Sequence, residues 1–232
     1  NVFQFRGNPG VASKAIFALL RRDPRFCIDQ EGYWSLIPGL KSPGISLTRL
    51  SFIVVDLETT GSRGGQGDRA TELAIGTSFR TLVNPGRRIS PQIRGLTGIT
   101  DRIVSMAPYF EGVADEVCEC LKGRIFVAHN IGFDEGVIRK ELLAAGGEIP
   151  ELEQLCTVRL GRLLLPRLRS YGLDSLTAHF RIQVEGRHRA FGDALATAQL
   201  LLHLLKEAET RGISDLVSLR VALGGERLRS RG

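Results

Sequence analysis

A chain of 232 residues, 43% apolar and 24% charged, is long enough for one sizeable globular domain plus a small appendage. Its formal net charge of +6 favours polyanions as partners. No apolar run approaches the ~20 residues that cross a bilayer, no basic-then-apolar leader opens the chain, and four cysteines without paired spacing argue against a disulfide scaffold and fit a reducing cytoplasm.

Residues 1–36 read as a unit of their own. Val11 to Arg22 shows helical spacing of apolar residues (Ala15, Ile16, Leu19, Leu20), and Asp23-Pro24 stops it. Arg25 to Leu36 then predicts two short strands around a Gln30-Glu31-Gly32 turn. A helix followed by a β-hairpin resembles part of a winged-helix module. Such an appendage would either dock a nucleic acid or partner, or merely cap the main domain. Residues 37–48 hold two Pro, two Gly and two Ser, the composition of a linker.

The main domain is expected over residues 49–210, and Ser51 to Gly61 (SFIVVDLETTG) opens it. A short apolar run with two valines predicts a strand buried on both faces. Side chains alternate along a strand, so Asp56 and Glu58 share one face at its C-terminal end. Paired carboxylates repel and resist desolvation unless a cation sits between them, and hard oxygen ligands suit Mg²⁺ or Mn²⁺. Taken alone, the pair fits a solvated acidic turn equally well. The glycine-rich Ser62 to Asp68 lacks the Gly-Lys-Ser/Thr ending of a phosphate loop. Thr71 to Ser78 and Arg80 to Val83 predict two further strands in an antiparallel meander.

Ser90-Pro91 opens a predicted helix that Thr97-Gly98-Ile99 breaks. A second, amphipathic helix is predicted over Ala107 to Leu121. Arg124 to Ala128 reads as a buried strand that runs into His129-Asn130-Ile131-Gly132-Phe133-Asp134, and a helix follows to about Ala145. Cys156 to Leu165 gives a brief strand and a helix, and Leu173 to Phe180 a short helix. The last long helix runs from about Ala190 to Glu207, with Leu195, Ala198, Leu201, Leu202 and Leu205 as its expected apolar stripe. Strands alternating with helices predict an α/β domain with a mixed sheet. Residues 211–232 would add one helix and a basic tail.

Four acids and a histidine thus stand at the ends of regular elements: Asp56, Glu58, Asp134, His188 and Asp193. Their settings, D-x-E-T-T-G at Asp56–Gly61, H-N-x-x-F-D at His129–Asp134 and H-R-A-x-x-D at His188–Asp193, occur in order. This set resembles the DEDDh 3′–5′ exonucleases. The Thr97-Gly98-Ile99 turn and the Leu173-Asp174-x-Leu176 helix are also similar to those of the proofreading (epsilon) subunits of bacterial DNA polymerase III. The resemblance covers about Leu50 to Leu205.

It implies an RNase H-like mixed sheet flanked by helices. It further implies two Mg²⁺ (or Mn²⁺) ions held by Asp56, Glu58, Asp134 and Asp193, clamping the attacking and leaving oxygens of a phosphodiester. His188 would take the proton of the attacking water, as histidine side chains commonly do. Thr60, Gly61, His129, Asn130 and Phe133 would contact substrate, although each also has a structural reading: a turn, a satisfied hydrogen bond or a core ring. Arg187 and Arg189 would meet phosphates or remain solvated. The expected activity is release of nucleoside 5′-monophosphates from a free 3′ end, single-stranded DNA favoured, with a DNA polymerase or repair partner and no membrane. Exoribonuclease or oligonucleotidase activity, an endonuclease of the same fold, and a non-catalytic nucleic-acid-binding or polymerase-binding module are the alternatives.

Overall fold

The computed structural model describes residues 26–28, 34–36, 45–61, 67–147 and 151–224. The expected helix at Val11–Arg22, most of the linker, part of the glycine-rich loop and the basic tail lie outside the described residues. The chain divides into two compact units, Leu50–Glu207 and a smaller one comprising Asn1–Arg49 with Ala208–Gly232. In the smaller unit, β1 (Phe26–Ile28) and β2 (Trp34–Leu36) pair antiparallel with Cys27 opposite Ser35, the expected hairpin. Leu47 donates its backbone N–H to Ser214 O at 2.9 Å, and Asp215 caps the following helix, Leu216–Ala222, through a reciprocal bond with Ser218.

The larger unit is built on β3 (Phe52–Thr59), β4 (Ala70–Ile75), β5 (Phe79–Leu82), β6 (Ile125–Ala128) and β7 (Gln154–Cys156), in the order β5-β4-β3-β6-β7. β3 pairs antiparallel with β4 and parallel with β6, so it is the strand where the sheet changes direction. The expected mixed sheet is therefore present. Ile53, Val55 and Leu57 on one face of β3 pack in a core with Val117, Phe126, Val137 and Leu142. Val54 on the opposite face is 6% exposed, so the strand is buried on both sides until its acids begin.

Helices flank this sheet: α1 (Pro91–Thr97), α2 (Asp101–Val104), α3 (Ala114–Leu121), α4 (Gly132–Ala144), α5 (Thr157–Leu164), α6 (Leu173–His179) and α7 (Ala190–Thr210). α1 starts as expected: the Ser90 side chain accepts from Ile93 N, Pro91 occupies the first turn, and Gly98 at φ 71° closes the end. The expected helix over Ala107–Leu121 is shorter. A 3₁₀ turn at Phe110–Gly112 buries Phe110 first, and Gly112 favours the break before α3.

The stripe expected on α7 holds at Leu201 and Leu205 but fails at Leu195 and Leu202. Leu195 is 40% and Leu202 68% exposed, whereas Ala190, Ala194, Leu201, Leu204 and Leu205 are buried. Leucines and alanines surround this helix, so their pattern does not determine its phase. Burial selects a face rich in alanine, which lets neighbouring elements approach closely. Among the described residues no helix is long and apolar enough to cross a membrane.

Candidate active site

Asp56 and Glu58 lie two residues apart on β3, opposite Ala74 and Glu72 of β4. A register shift between Glu58 and Thr59 ends regular pairing just past them. Asp193 stands in the first turn of α7, where the helix dipole favours a carboxylate. One oxygen from each of Asp56, Glu58 and Asp193 lies within 4.8 Å of the other two. The distant pair on the strand and the acid on the last helix therefore meet.

Asp134 opens α4 and is 3% exposed. Its carboxyl group is stabilised by a backbone hydrogen bond from Leu57, the residue between the two strand acids, and its charge raises the Asp56 pKa. It is not one of the three acids whose oxygens meet. His188 occupies the turn before α7 at φ 60°, and its backbone N–H donates to Asp193 Oδ2 at 3.3 Å. The structure thus brings Asp56, Glu58 and Asp193 together, sets the charge of Asp134 within reach of Asp56, and places the backbone of His188 against Asp193.

Burial dominates the electrostatics. It pushes Asp56 well above the ordinary carboxylate range, with further repulsion from Asp134, Asp193 and Glu58. Glu58 rises to about 7 through burial, then through Asp193 and Glu72. Asp134 and Asp193 are also raised, burial again leading. Asp193 Oδ1 is buried without a hydrogen-bond partner among the described residues. Crowded, desolvated carboxylates with an orphaned oxygen are the donor set a hard divalent cation satisfies. The residues fit that group.

Four further contacts position the loop before α7. Arg187 donates to Asp193 and, at 2.6 Å, to Asp174 Oδ1. Arg189 makes a bidentate pair with Glu72 at 2.8 and 2.6 Å, and Glu72 also accepts from Ala190 N at 3.0 Å. Both arginines, read from sequence as phosphate-binding or solvated, are ion-paired. Gly192 has no room for a side chain, because an added Cβ would lie 2.3 Å from the carbonyl oxygens of Glu185 and Gly186. Glu72 and Gly192 carried no signal in sequence, since their partners are remote or depend on the folded loop.

The expected substrate residues divide. His129 and Asn130 line a cleft of about 590 Å³ that also contains Asp56, Asp193 and Arg187. His129 Nδ1 shares a hydrogen bond with Thr157 Oγ1 at 2.9 Å, while burial and Arg187 depress its pKa to about 4. Asn130 takes φ 66°, which its short polar side chain tolerates. Thr60 is buried, and its hydroxyl accepts from Arg69 N at 3.2 Å. Gly61 lies directly under the Asp68 carboxylate, which an added Cβ would have to displace. Phe133 is half-buried and packs on the core.

Residues 53–201 match the family model described as exonuclease, of the RNase T type. The chain is 35% identical over 182 residues to the "3′-5′ exonuclease DinG" of Bacillus subtilis (strain 168), a match covering 75% of this chain and 20% of that protein. It is 36% identical over 181 residues to a "DNA polymerase III subunit epsilon-like protein" of Rhodobacter capsulatus, covering 72% of this chain and 25% of that one. It therefore spans about a fifth to a quarter of the length of these relatives. Among solved structures, "Exonuclease X in complex with 5′ overhanging duplex DNA" is 27% identical with a TM-score of 0.57, over 74% of this chain and 99% of that one. With its matched span, mixed sheet and clustered acids, the chain belongs to the exonuclease family.

Proposed function

We propose that this chain is a 3′–5′ exonuclease that releases nucleoside 5′-monophosphates from a free 3′ end, with single-stranded DNA as its favoured substrate and residues 49–210 as its catalytic portion. The observation that carries this reading is the meeting of Asp56, Glu58 and Asp193, with an oxygen of Asp193 left without a hydrogen bond among the described residues. Asp56, Glu58 and Asp193, together with Asp134, would hold two Mg²⁺ or Mn²⁺ ions. When bound, these ions supply charge stabilisation at the attacking and leaving oxygens.

The protein's own part is to position and to move a proton. His188 receives the proton of the water that attacks phosphorus, the bond from phosphorus to the 3′ oxygen breaks, and a proton returns to that oxygen. The turn holding His188 is fixed by the contact of its amide with Asp193 and by the Arg189–Glu72 pair. Asn130 and neutral His129 offer uncharged contacts along the cleft wall.

DNA is favoured because the relatives' printed names concern DNA polymerase III and a DNA complex. The first of these names supports a role beside a polymerase, and repair of DNA ends is the other role we propose. The test is digestion of matched DNA and RNA strands with paired and unpaired 3′ ends, with Mg²⁺ and with EDTA. Mononucleotide release from unpaired DNA ends, lost in EDTA and in Asp56→Asn, is expected. Oligonucleotide release from a 3′-labelled strand, or full activity in Asp56→Asn, would overturn the reading.

A further inference from the structure

We infer that Arg162 and Arg169 form a backbone-binding subsite for the substrate strand on the 5′ side of the scissile bond, an inference that rests on the exonuclease reading of the site. Both side chains line the cleft that holds Asp56, Asp193 and Arg187, and both residues are exposed. The cleft's carboxylates repel a polyanion, so a strand that enters needs cations of its own beyond those at the cluster. Arg187 does not meet that need, because Asp193 and Asp174 already engage it. Arg162 and Arg169 have no carboxylate within ion-pair distance among the described residues, so their charge is available to phosphate.

The wall that carries them is braced. Arg162 lies on α5 with its guanidinium 5.8 Å from the centre of the Tyr171 ring. Tyr171 donates its hydroxyl to Leu165 O at 2.8 Å, which fixes the ring. Gly161 sits beneath it: a Cβ there would lie 3.5 Å from Tyr171 Cδ1 and 3.1 Å from Leu176 Cδ1. A guanidinium drawn to a pinned ring still has N–H donors for an anion and is already partly ordered before binding. Arg169 follows on the α5–α6 connection, two residues before Tyr171. The scissile phosphate belongs to the acid cluster, so these two arginines meet phosphates further along the strand. Contacts of this kind read charge and not base identity.

The test uses the intact chain, Arg162→Gln, Arg169→Gln, their double variant, and Arg102→Gln on α2 as a charge-matched control. Binding of a 3′-terminal dT₁₂ oligonucleotide is followed by fluorescence anisotropy in EDTA. The double variant is expected to bind roughly tenfold more weakly than the control, with the salt slope of log K reduced by about 1.4, at ~0.7 per single-strand phosphate contact. In Mg²⁺, KM for the oligonucleotide rises while kcat stays within about twofold. Hydrolysis of the p-nitrophenyl ester of thymidine 5′-monophosphate, which has no upstream phosphate, is unchanged. Binding equal to that of the control, or equal losses on the ester, would overturn the subsite. If the parent chain hydrolyses neither substrate, the catalytic reading fails, and the anisotropy comparison alone still decides the subsite.

Discussion

Arg187 donates from Nη1 to Oδ2 of Asp193, setting a guanidinium against the most buried member of the three-acid cluster. The same side chain lowers the pKa values of Asp56 and Glu58, so its charge is shared across the site. A divalent cation bound there would compete with it for Asp193. Arg187→Met should therefore lower the thermal midpoint of the metal-free protein, by an amount equivalent to about 1.5–3 kcal/mol for a charge-assisted hydrogen bond. Saturating Mg²⁺ should narrow that gap. Titration calorimetry should show Mg²⁺ binding tighter by about threefold to tenfold, or ~1 kcal/mol. Weaker Mg²⁺ binding would mean that the arginine supports the ion and does not rival it.

The raised carboxylates give the site a pH dependence of known sign. Glu58 titrates at about 7 in the folded protein, and burial also raises Asp56, Asp134 and Asp193. Unfolded, such groups titrate near ~4. Between these limits the folded, metal-free chain binds more protons than the unfolded one, so its stability falls as pH rises from about 4 through about 7. A cation favours the ionised forms and gains affinity over the same window. The rise in thermal midpoint caused by Mg²⁺ should thus be larger at pH 8 than at pH 5.5, and Glu58→Gln should flatten the metal-free profile. A Mg²⁺ effect independent of pH would contradict this account of the cluster.

His129 behaves oppositely. Its folded pKa of about 4, depressed by burial and then by Arg187, lies below the ordinary ~6.5 of a histidine. Stability from this group is complete above about 6.5 and is lost as pH falls toward 4. The side chain is neutral throughout pH 6–9, so His129→Gln should leave the shape of the pH–rate profile unchanged while altering its height. A profile that loses a limb between pH 6 and 9 would show that His129 exchanges protons in turnover.

The meeting of Asp56, Glu58 and Asp193 was legible because each sits where a periodic element meets a polar run. The register of Asp56 and Glu58 follows from alternation along β3, and Asp193 follows from its place at a helix start. The contacts that hold the loop were not legible. Arg189 finds Glu72 117 residues away, and nothing local distinguishes it from a solvated arginine. The face of α7 was misjudged at Leu195 and Leu202 because leucine is present on every side of it. Burial there is decided by what packs against the helix, which a single sequence does not report.

The Glu72–Arg189 pair should matter to turnover without touching substrate. It ties β4 to the turn that presents His188, and Ala190 N uses the same carboxylate. Glu72→Gln should cost about 1–2 kcal/mol in stability, the range for a charge-assisted contact with partial exposure. It should also reduce kcat more than it raises KM. A double cycle with Arg189→Met should show coupling of at least ~0.5 kcal/mol, as contacting residues do. Additive losses would leave the pair without a positioning role.

Gly192 offers the sharpest geometric test. An added Cβ would lie 2.3 Å from the carbonyl oxygens of both Glu185 and Gly186, and these are backbone atoms that cannot swing aside. Gly186 itself holds φ 68°, so the loop is already turned tightly against the start of α7. Gly192→Ala must therefore push the 185–189 loop away from the helix, taking His188 and Arg187 from Asp193. Because the helix interior favours alanine over glycine by about 1 kcal/mol, the net effect on stability should be small or negative while the effect on rate is large. We expect kcat to fall by about 100-fold or more, in line with the sensitivity of catalysis to ~1 Å displacements, with the far-ultraviolet spectrum retained. The companion Ala194→Gly, two residues further from the loop, should lose stability but keep its rate per folded molecule. If Gly192→Ala instead turns over normally, the loop does not need its close seat on the helix, and the positions of His188 and Arg187 beside Asp193 are not what sets the chemistry.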